Sequence, residues 1–143
     1  MDVIVREVAL EDSEAICNLL EQLGYNAFVP ETAERIKAVM ADEMHCAFVA
    51  VAKGNVVGWI HGFFAIRIES APFVEIGGLV LDTSARGAGV GRRLVEQVME
   101  WSKQRSIIKL RVRTNSARSK THQFYQNLGF TETKEQKVFE LKL

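Results

Sequence analysis

Between Val80 and Leu94 the chain reads V-L-D-T-S-A-R-G-A-G-V-G-R-R-L, with glycines at Gly87, Gly89 and Gly91. An apolar run, Phe73 to Leu81, precedes them. Val90 opens an amphipathic segment that carries Leu94, Val98 and Trp101 on one face. The pattern predicts strand, glycine turn and helix in immediate succession. Glycine lets the backbone turn tightly and approach a ligand without a Cβ in the way. The first N–H groups of the helix have no intrahelical acceptor and point into the space enclosed by the turn. Such a turn suits a phosphate or pyrophosphate, and Arg86, Arg92 and Arg93 add positive charge around it.

The spacing excludes two common phosphate motifs. A dinucleotide fingerprint requires glycine three residues after Gly89, where Arg92 stands, and no G-x-x-x-x-G-K followed by Ser or Thr occurs. The motif present is R-x-x-G-x-G, from Arg86 through Gly89 to Gly91. Further on, Thr121 to Phe130 reads T-H-Q-F-Y-Q-N-L-G-F, and the chain opens with V-R-E-V-A-L-E-D-S-E-A-I from Val5. These segments resemble the acetyl-coenzyme A loop, the A-x-x-F-Y-x-x-L-G-F helix end and the first strand and helix of the GCN5-related N-acetyltransferases, the GNAT family. The resemblance runs along essentially the whole chain.

A chain of 143 residues is long enough for one well-cored domain, expected over residues 1–143. Eighteen basic side chains balance eighteen acidic ones, so neither nucleic acid nor an anionic membrane is indicated as a partner. Cys17 and Cys46 sit in apolar surroundings and read as reduced core residues. No signal peptide or membrane-length apolar stretch is visible, so a cytoplasmic location is expected. No His, Cys and carboxylate cluster has metal spacing, and no metal is expected.

Periodicity predicts the remaining elements. Val3–Val8 alternates as a strand, and Ile16, Leu19, Leu20 and Leu23 mark a helix stopped by Gly24. A loop from Tyr25 to Val29 leads to a second helix, with Pro30 in its first turn and Ala33, Ile36, Val39 and Met40 as its apolar stripe. Cys46–Val51 and Val56–Ala65 flank Lys53-Gly54-Asn55 as a hairpin. Ile107–Arg113 reads as a strand with Ile108, Leu110 and Val112 on one face. A helix over residues 117–128 should turn Ala117, Thr121, Phe124 and Leu128 inward and end at Gly129. Phe130–Thr133 and Lys137–Leu143 read as a final hairpin, whose edge is a natural place for a homodimer to pair. The fold class is α/β, a mixed central sheet with helices on both faces. The resemblance implies the GNAT fold, with a V-shaped splay between the strands ending near Leu81 and Arg113.

Acetyl transfer from a thioester to an amine needs the two groups held together, a stabilised oxyanion and a proton for the departing thiolate. The resemblance assigns the parts. Leu79, Val80 and Leu81 would lie along the pantetheine arm of acetyl-CoA. The amides of Gly87, Ala88, Gly89, Val90, Gly91 and Arg92 would hold the pyrophosphate, with Arg86 in the motif's opening place. Tyr125 matches the family's general acid, and a phenol is protonated at neutral pH.

The base is open. Glu75 resembles the catalytic glutamate of the histone-type members, but reads equally as a strand-face salt-bridge partner. Arg111 and Gly77 occupy two places where other members carry acid, which leaves a water-relayed base. The asparagine many members place seven residues before the tyrosine is Arg118 here, with Asn115 three residues earlier, so either one is a candidate cofactor contact. His45 and His61 read as ordinary strand residues, and His122 as a packing or surface residue.

The acceptor, a small-molecule or protein amine, is expected to enter from the side formed by the Tyr25–Val29 loop and the final hairpin, with Tyr25 and Phe28 either lining it or packing in the core. Two other classes stand beside the enzyme: a non-catalytic acyl-CoA-binding or sensory module, which would need neither Tyr125 nor a base, and an adapter that works through exposed apolar surface.

Overall fold

The computed structural model describes all residues, 1–143. The chain divides into two compact units, Met1–Val112 and Arg113–Leu143. The first contains β1 (Ile4–Glu7), α1 (Ser13–Gln22), α2 (Val29–Met40), β2 (His45–Ala52), β3 (Asn55–Ala65), β4 (Phe73–Leu81), α3 (Val90–Gln104) and β5 (Leu110–Val112). The second contains α4 (Ser119–Asn127).

The sheet of the first unit has strand order β1-β2-β3-β4-β5. The first four strands pair antiparallel, and β5 joins β4 in parallel. The β2–β3 turn forms where expected, with Lys53 and Gly54 at φ 50° and 79°. Two left-handed central residues match the right-handed twist of the flanking strands.

Helices cover both faces. On one side Val8, Ile16, Ile36 and Val49 form a buried cluster, joined by Leu20, Ala47 and Trp59. On the other, α3 buries Val90, Leu94, Val95, Val98 and Trp101. Gly62 of β3 lets α3 approach, for a Cβ there would lie 3.1 Å from both Val98 and the Cys46 sulfur. Cys17 and Cys46 are buried free thiols, and burial pushes the Cys46 thiol up to about 12.

Several boundaries and one element differ from expectation. β5 covers only Leu110–Val112, and Ile108 is exposed because it precedes the paired stretch. On α2 the buried positions are Thr32 and Ile36, while Met40 faces solvent. On α4 the buried side chain is Tyr125, and Ala117 lies outside the helix and exposed. The final hairpin does not form: residues 131–143 belong to no strand and are exposed. Their alternation of apolar and charged residues suits a strand, but an alternating strand needs a partner before it counts as one.

Candidate active site

β4 is the axis of the site in the first unit. It pairs with β5 only at Val74–Leu110, Glu75–Arg111 and Ile76–Val112, and from there to Leu81 keeps only its antiparallel partner β3. The expected splay is therefore present, with the stretch 77–81 released from its parallel neighbour. Val80 is buried; Leu79 and Leu81 are half-buried.

Asp82 fixes the turn that follows. Its carboxylate accepts from the Ser84 N–H at 2.9 Å, from the Ser84 hydroxyl, and from Gln22 Nε2 of α1 at 2.8 Å. These bonds hold its pKa below the usual carboxylate value, the Ser84 hydroxyl contributing most. Gly87 and Gly89 lie at φ 75° and 81°, a region that L side chains rarely adopt, and both are exposed. Gly89 is the left-handed residue from which α3 springs. No side chain caps α3, so its leading N–H groups face outward from this turn. Gly91 is buried in the first turn of the helix, Arg86 and Arg92 are exposed, and Ala88 and Val90 complete the segment. Arg93 has another use: its guanidinium donates to the Val3 carbonyl and ties α3 to the start of β1.

The face of β4 toward α1 and α2 carries a second group of residues. Glu75 is in register with Phe63 of β3 and with Arg111 of β5, so all three share that face. A β-bulge follows. His61 pairs with Gly78 and Gly62 with Ile76, which leaves Gly77 as the extra residue. Each glycine lies against a ring of β3. A Cβ on Gly77 would come within 2.8 Å of His61 Nδ1, and one on Gly78 within 2.9 Å of the Trp59 ring. Trp59 Nε1 is buried without a hydrogen-bond partner.

His61 is not an ordinary strand residue. Its Nε2 lies 2.9 Å from His45 Nδ1, the rings stack at 5.1 Å and 9°, and Phe63 stacks against His45. Burial, with His45 adding to it, pushes the His61 pKa down. The sequence shows two histidines on neighbouring strands, but only the register brings Ala47 opposite His61 and so sets His45 beside it.

Tyr25 and Phe28 are 59% and 56% exposed, which removes the core reading for both. They bracket the short loop from α1 to α2.

In the second unit Tyr125 is buried, with Phe124 and Phe130 edge-on at 5.0 and 5.2 Å. Burial raises its phenol to about 12, so it holds its proton at neutral pH. Asn115 is engaged locally: its side chain accepts from the Ala117 N–H at 2.9 Å, and its carbonyl accepts from the Arg118 N–H. The His122 ring lies 3.0 Å from that carbonyl too, consistent with a packing residue. Arg118, at the start of α4, is exposed. No group of three or more His, Cys, Asp or Glu side chains is arranged to hold a metal ion, and no helix is long and apolar enough to cross a membrane.

The family model for the acetyltransferase (GNAT) family matches residues 13–130, from α1 past the end of α4. The chain belongs to that family. Among curated relatives, the aminoglycoside N(6')-acetyltransferase type 1 of Serratia marcescens is 34% identical over 97 residues, 67% of this chain and 63% of its own length. The chain thus spans less than two thirds of that relative. A 5-NmdU N-acetyltransferase of Pseudomonas phage PaMx11 is 25% identical over 130 residues, 90% of this chain and 87% of its own. The solved structure of AAC(6')-Iy with the bisubstrate analog CoA-S-monomethyl-acetylneamine superposes with TM-score 0.87 at 19% identity, covering all of both chains. At that identity the match is one of fold: this GNAT chain shares the architecture of a protein solved with a coenzyme A conjugate.

Proposed function

We propose that this protein is an acetyl-CoA-dependent N-acetyltransferase that acylates a primary amine on a small molecule. The observation that carries the reading is continuity. Pairing with β5 ends at Ile76, β4 continues to Leu81 with β3 as its only partner, and the chain then enters the Gly87–Gly91 turn and α3. One continuous segment offers strand backbone open on its β5 side and, after it, a cluster of outward N–H groups. That sequence of features suits an extended arm ending in a pyrophosphate.

The residues fit such a co-substrate. The backbone of Leu79, Val80 and Leu81 holds the arm, and the amides of Gly87 to Arg92 take the pyrophosphate, with Arg86 beside them. Arg118, exposed where Asn115 is engaged, is the cofactor contact from the second unit. The bound thioester supplies the activated acetyl group. Tyr125 gives the departing sulfur its proton, a role supported by a phenol that burial keeps protonated. Glu75 draws the ammonium form of the acceptor to the face it shares with Phe63 and Arg111. Tyr25 and Phe28, apolar and exposed, line the acceptor.

The family match crosses from one compact unit to the other, which supports reading residues 1–143 as one functional domain. Val138, Phe139, Leu141 and Leu143 are exposed on a terminal segment with no strand partner, and β5 is an edge strand. That supports a homodimer in which this segment of one copy adds to the β5 edge of the other.

Relatives named for aminoglycoside and modified-nucleobase acetylation make amine-bearing small molecules the first acceptors to try. A thiol-release assay with acetyl-CoA against aminoglycosides, polyamines, amino acids and aminomethyl nucleosides tests the reading. Turnover with at least one amine is expected. Coenzyme A binding without turnover on any would leave a binding module instead.

A further inference from the structure

The bulge at Gly77 leaves one edge of a half-buried imidazole without a side chain over it, and that edge begins a chain of proton-carrying groups. His61 Nδ1 faces the bare Gly77 backbone, so close that a Cβ there would be 2.8 Å away. Gly77 itself is exposed. The other ring nitrogen, Nε2, lies 2.9 Å from His45 Nδ1. His45 Nε2 in turn lies 3.8 Å from Asp42 Oδ2, and Asp42 is exposed just after α2.

These contacts select one set of tautomers. A carboxylate beside His45 Nε2 favours the proton on that nitrogen. His45 Nδ1 is then an acceptor, and His61 must donate to it from Nε2. His61 Nδ1 is left with its lone pair, directed at the open backbone of the bulge. The chain runs from that lone pair through two rings to a carboxylate in solvent.

We propose that His61 takes the proton from the acceptor's ammonium group, and that His45 and Asp42 carry a proton out to solvent. The inference rests on the acetyl-transfer reading above, which puts the reacting end of the arm at Leu79, next to the bulge. The N–H bond of the ammonium breaks and a bond forms at His61 Nδ1. The proton on His61 Nε2 moves to His45 Nδ1, and the proton on His45 Nε2 leaves to Asp42 and water. The amine is left neutral, and one positive charge has moved to solvent.

Other features agree with this. Burial and the neighbouring ring keep His61 neutral, as a base must be at the working pH. The charged groups that face the pair are Asp42 before β2, Glu75 of β4 and Arg111 of β5 on the shared face, and Glu7 of β1, which lines a hollow with His45. Bulges recur beside active sites because they re-aim a strand locally. Here the bulge supplies two adjacent glycines where side chains would cover the His61 and Trp59 rings.

Two measurements test the relay. Nitrogen NMR on the histidine-labelled wild type, with no ligand, should find the proton of His61 on Nε2 at pH 7.5, with His61 Nδ1 bare. A proton on His61 Nδ1 overturns the proposal, and this measurement needs no variant. In the thiol-release assay, His61→Gln keeps an amide donor toward His45 but cannot accept a proton. Its kcat should fall by about 10²- to 10⁴-fold for an alkylamine that is protonated at neutral pH. It should fall far less for methoxyamine, which is already neutral, and the acidic limb of the pH profile should disappear. His45→Asn should shift that limb with a smaller loss. If His61→Gln keeps the wild-type rate and limb while Glu75→Gln loses both, Glu75 is the base and the relay is wrong. A wild type that turns over no amine fails the acetyl-transfer reading itself, a result distinct from either.

Discussion

Tyr125 joins the clearest motif in the sequence to a definite chemical state. The F-Y-x-x-x-G-F segment marks it, and burial between Phe124 and Phe130 raises its phenol to about 12. Tyr125→Phe keeps the ring and removes the proton donor. We predict that kcat falls about 10²- to 10⁴-fold with acceptor KM nearly unchanged. Any alkaline limb owed to Tyr125 should lie above pH 10, the ordinary tyrosine value. A variant that keeps most of the wild-type kcat would make Tyr125 structural. Asp12 is the matching case for stability. Its buried carboxylate takes two bonds from Arg6, at 2.8 and 2.9 Å, and one from the Ala9 N–H. The Arg6 bond chiefly, aided by the Ala9 N–H, holds its pKa below the usual value. A depressed carboxylate stabilises the fold above about pH 4 and loses that contribution as pH falls through its folded pKa. Asp12→Asn should therefore cost about 1–3 kcal/mol at pH 7, and the difference should shrink toward zero in acid. Urea melts at pH 7 and at successively lower pH below about 4 check this, and a gap that did not narrow with falling pH would contradict it.

At the scale of elements, the sequence was legible wherever an element is held by its own periodicity or by a nearby turn. Phe73–Leu81 is the strand expected, and the glycine turn and α3 follow it as expected. What the sequence hid depends on partners far along the chain. The bulge at Gly77 and the His45–His61 pair exist only through register between strands. The terminal hairpin had the right alternation and no partner. The local bond of Asn115, whose Oδ1 accepts from the Ala117 N–H, was also hidden in the sequence, and it supports our proposal that Arg118 makes the cofactor contact. Asn115→Ala should therefore cost about 1 kcal/mol of stability through the lost turn bond, with coenzyme A affinity little changed. Arg118→Ala should weaken coenzyme A binding and leave the melting temperature alone. Calorimetry and thermal melts on both variants separate the two effects, and the opposite pattern would return Asn115 to the cofactor.

For the whole molecule, the balanced charge carries no pointer to nucleic acid or an anionic membrane, and it leaves the acceptor open. We propose that acceptor specificity rests on a few exposed side chains such as Tyr25 and Phe28. The exposed terminal apolar residues predict a dimer in solution. Light scattering should give twice the chain mass for the wild type, and Phe139→Asp with Leu141→Asp should give the monomer. A monomeric wild type would mean that the segment does not pair between copies. The central claim, that the freed strand and glycine turn hold coenzyme A, is tested most directly by calorimetric titration of coenzyme A into wild type and Gly89→Asp. Gly89 is exposed, and a Cβ there meets no atom within 4 Å, so the variant should fold despite some strain at φ 81°. Its carboxylate would stand where a pyrophosphate needs bare amides. The account predicts saturable binding to the wild type and none to the folded variant; equal affinity in both would contradict it.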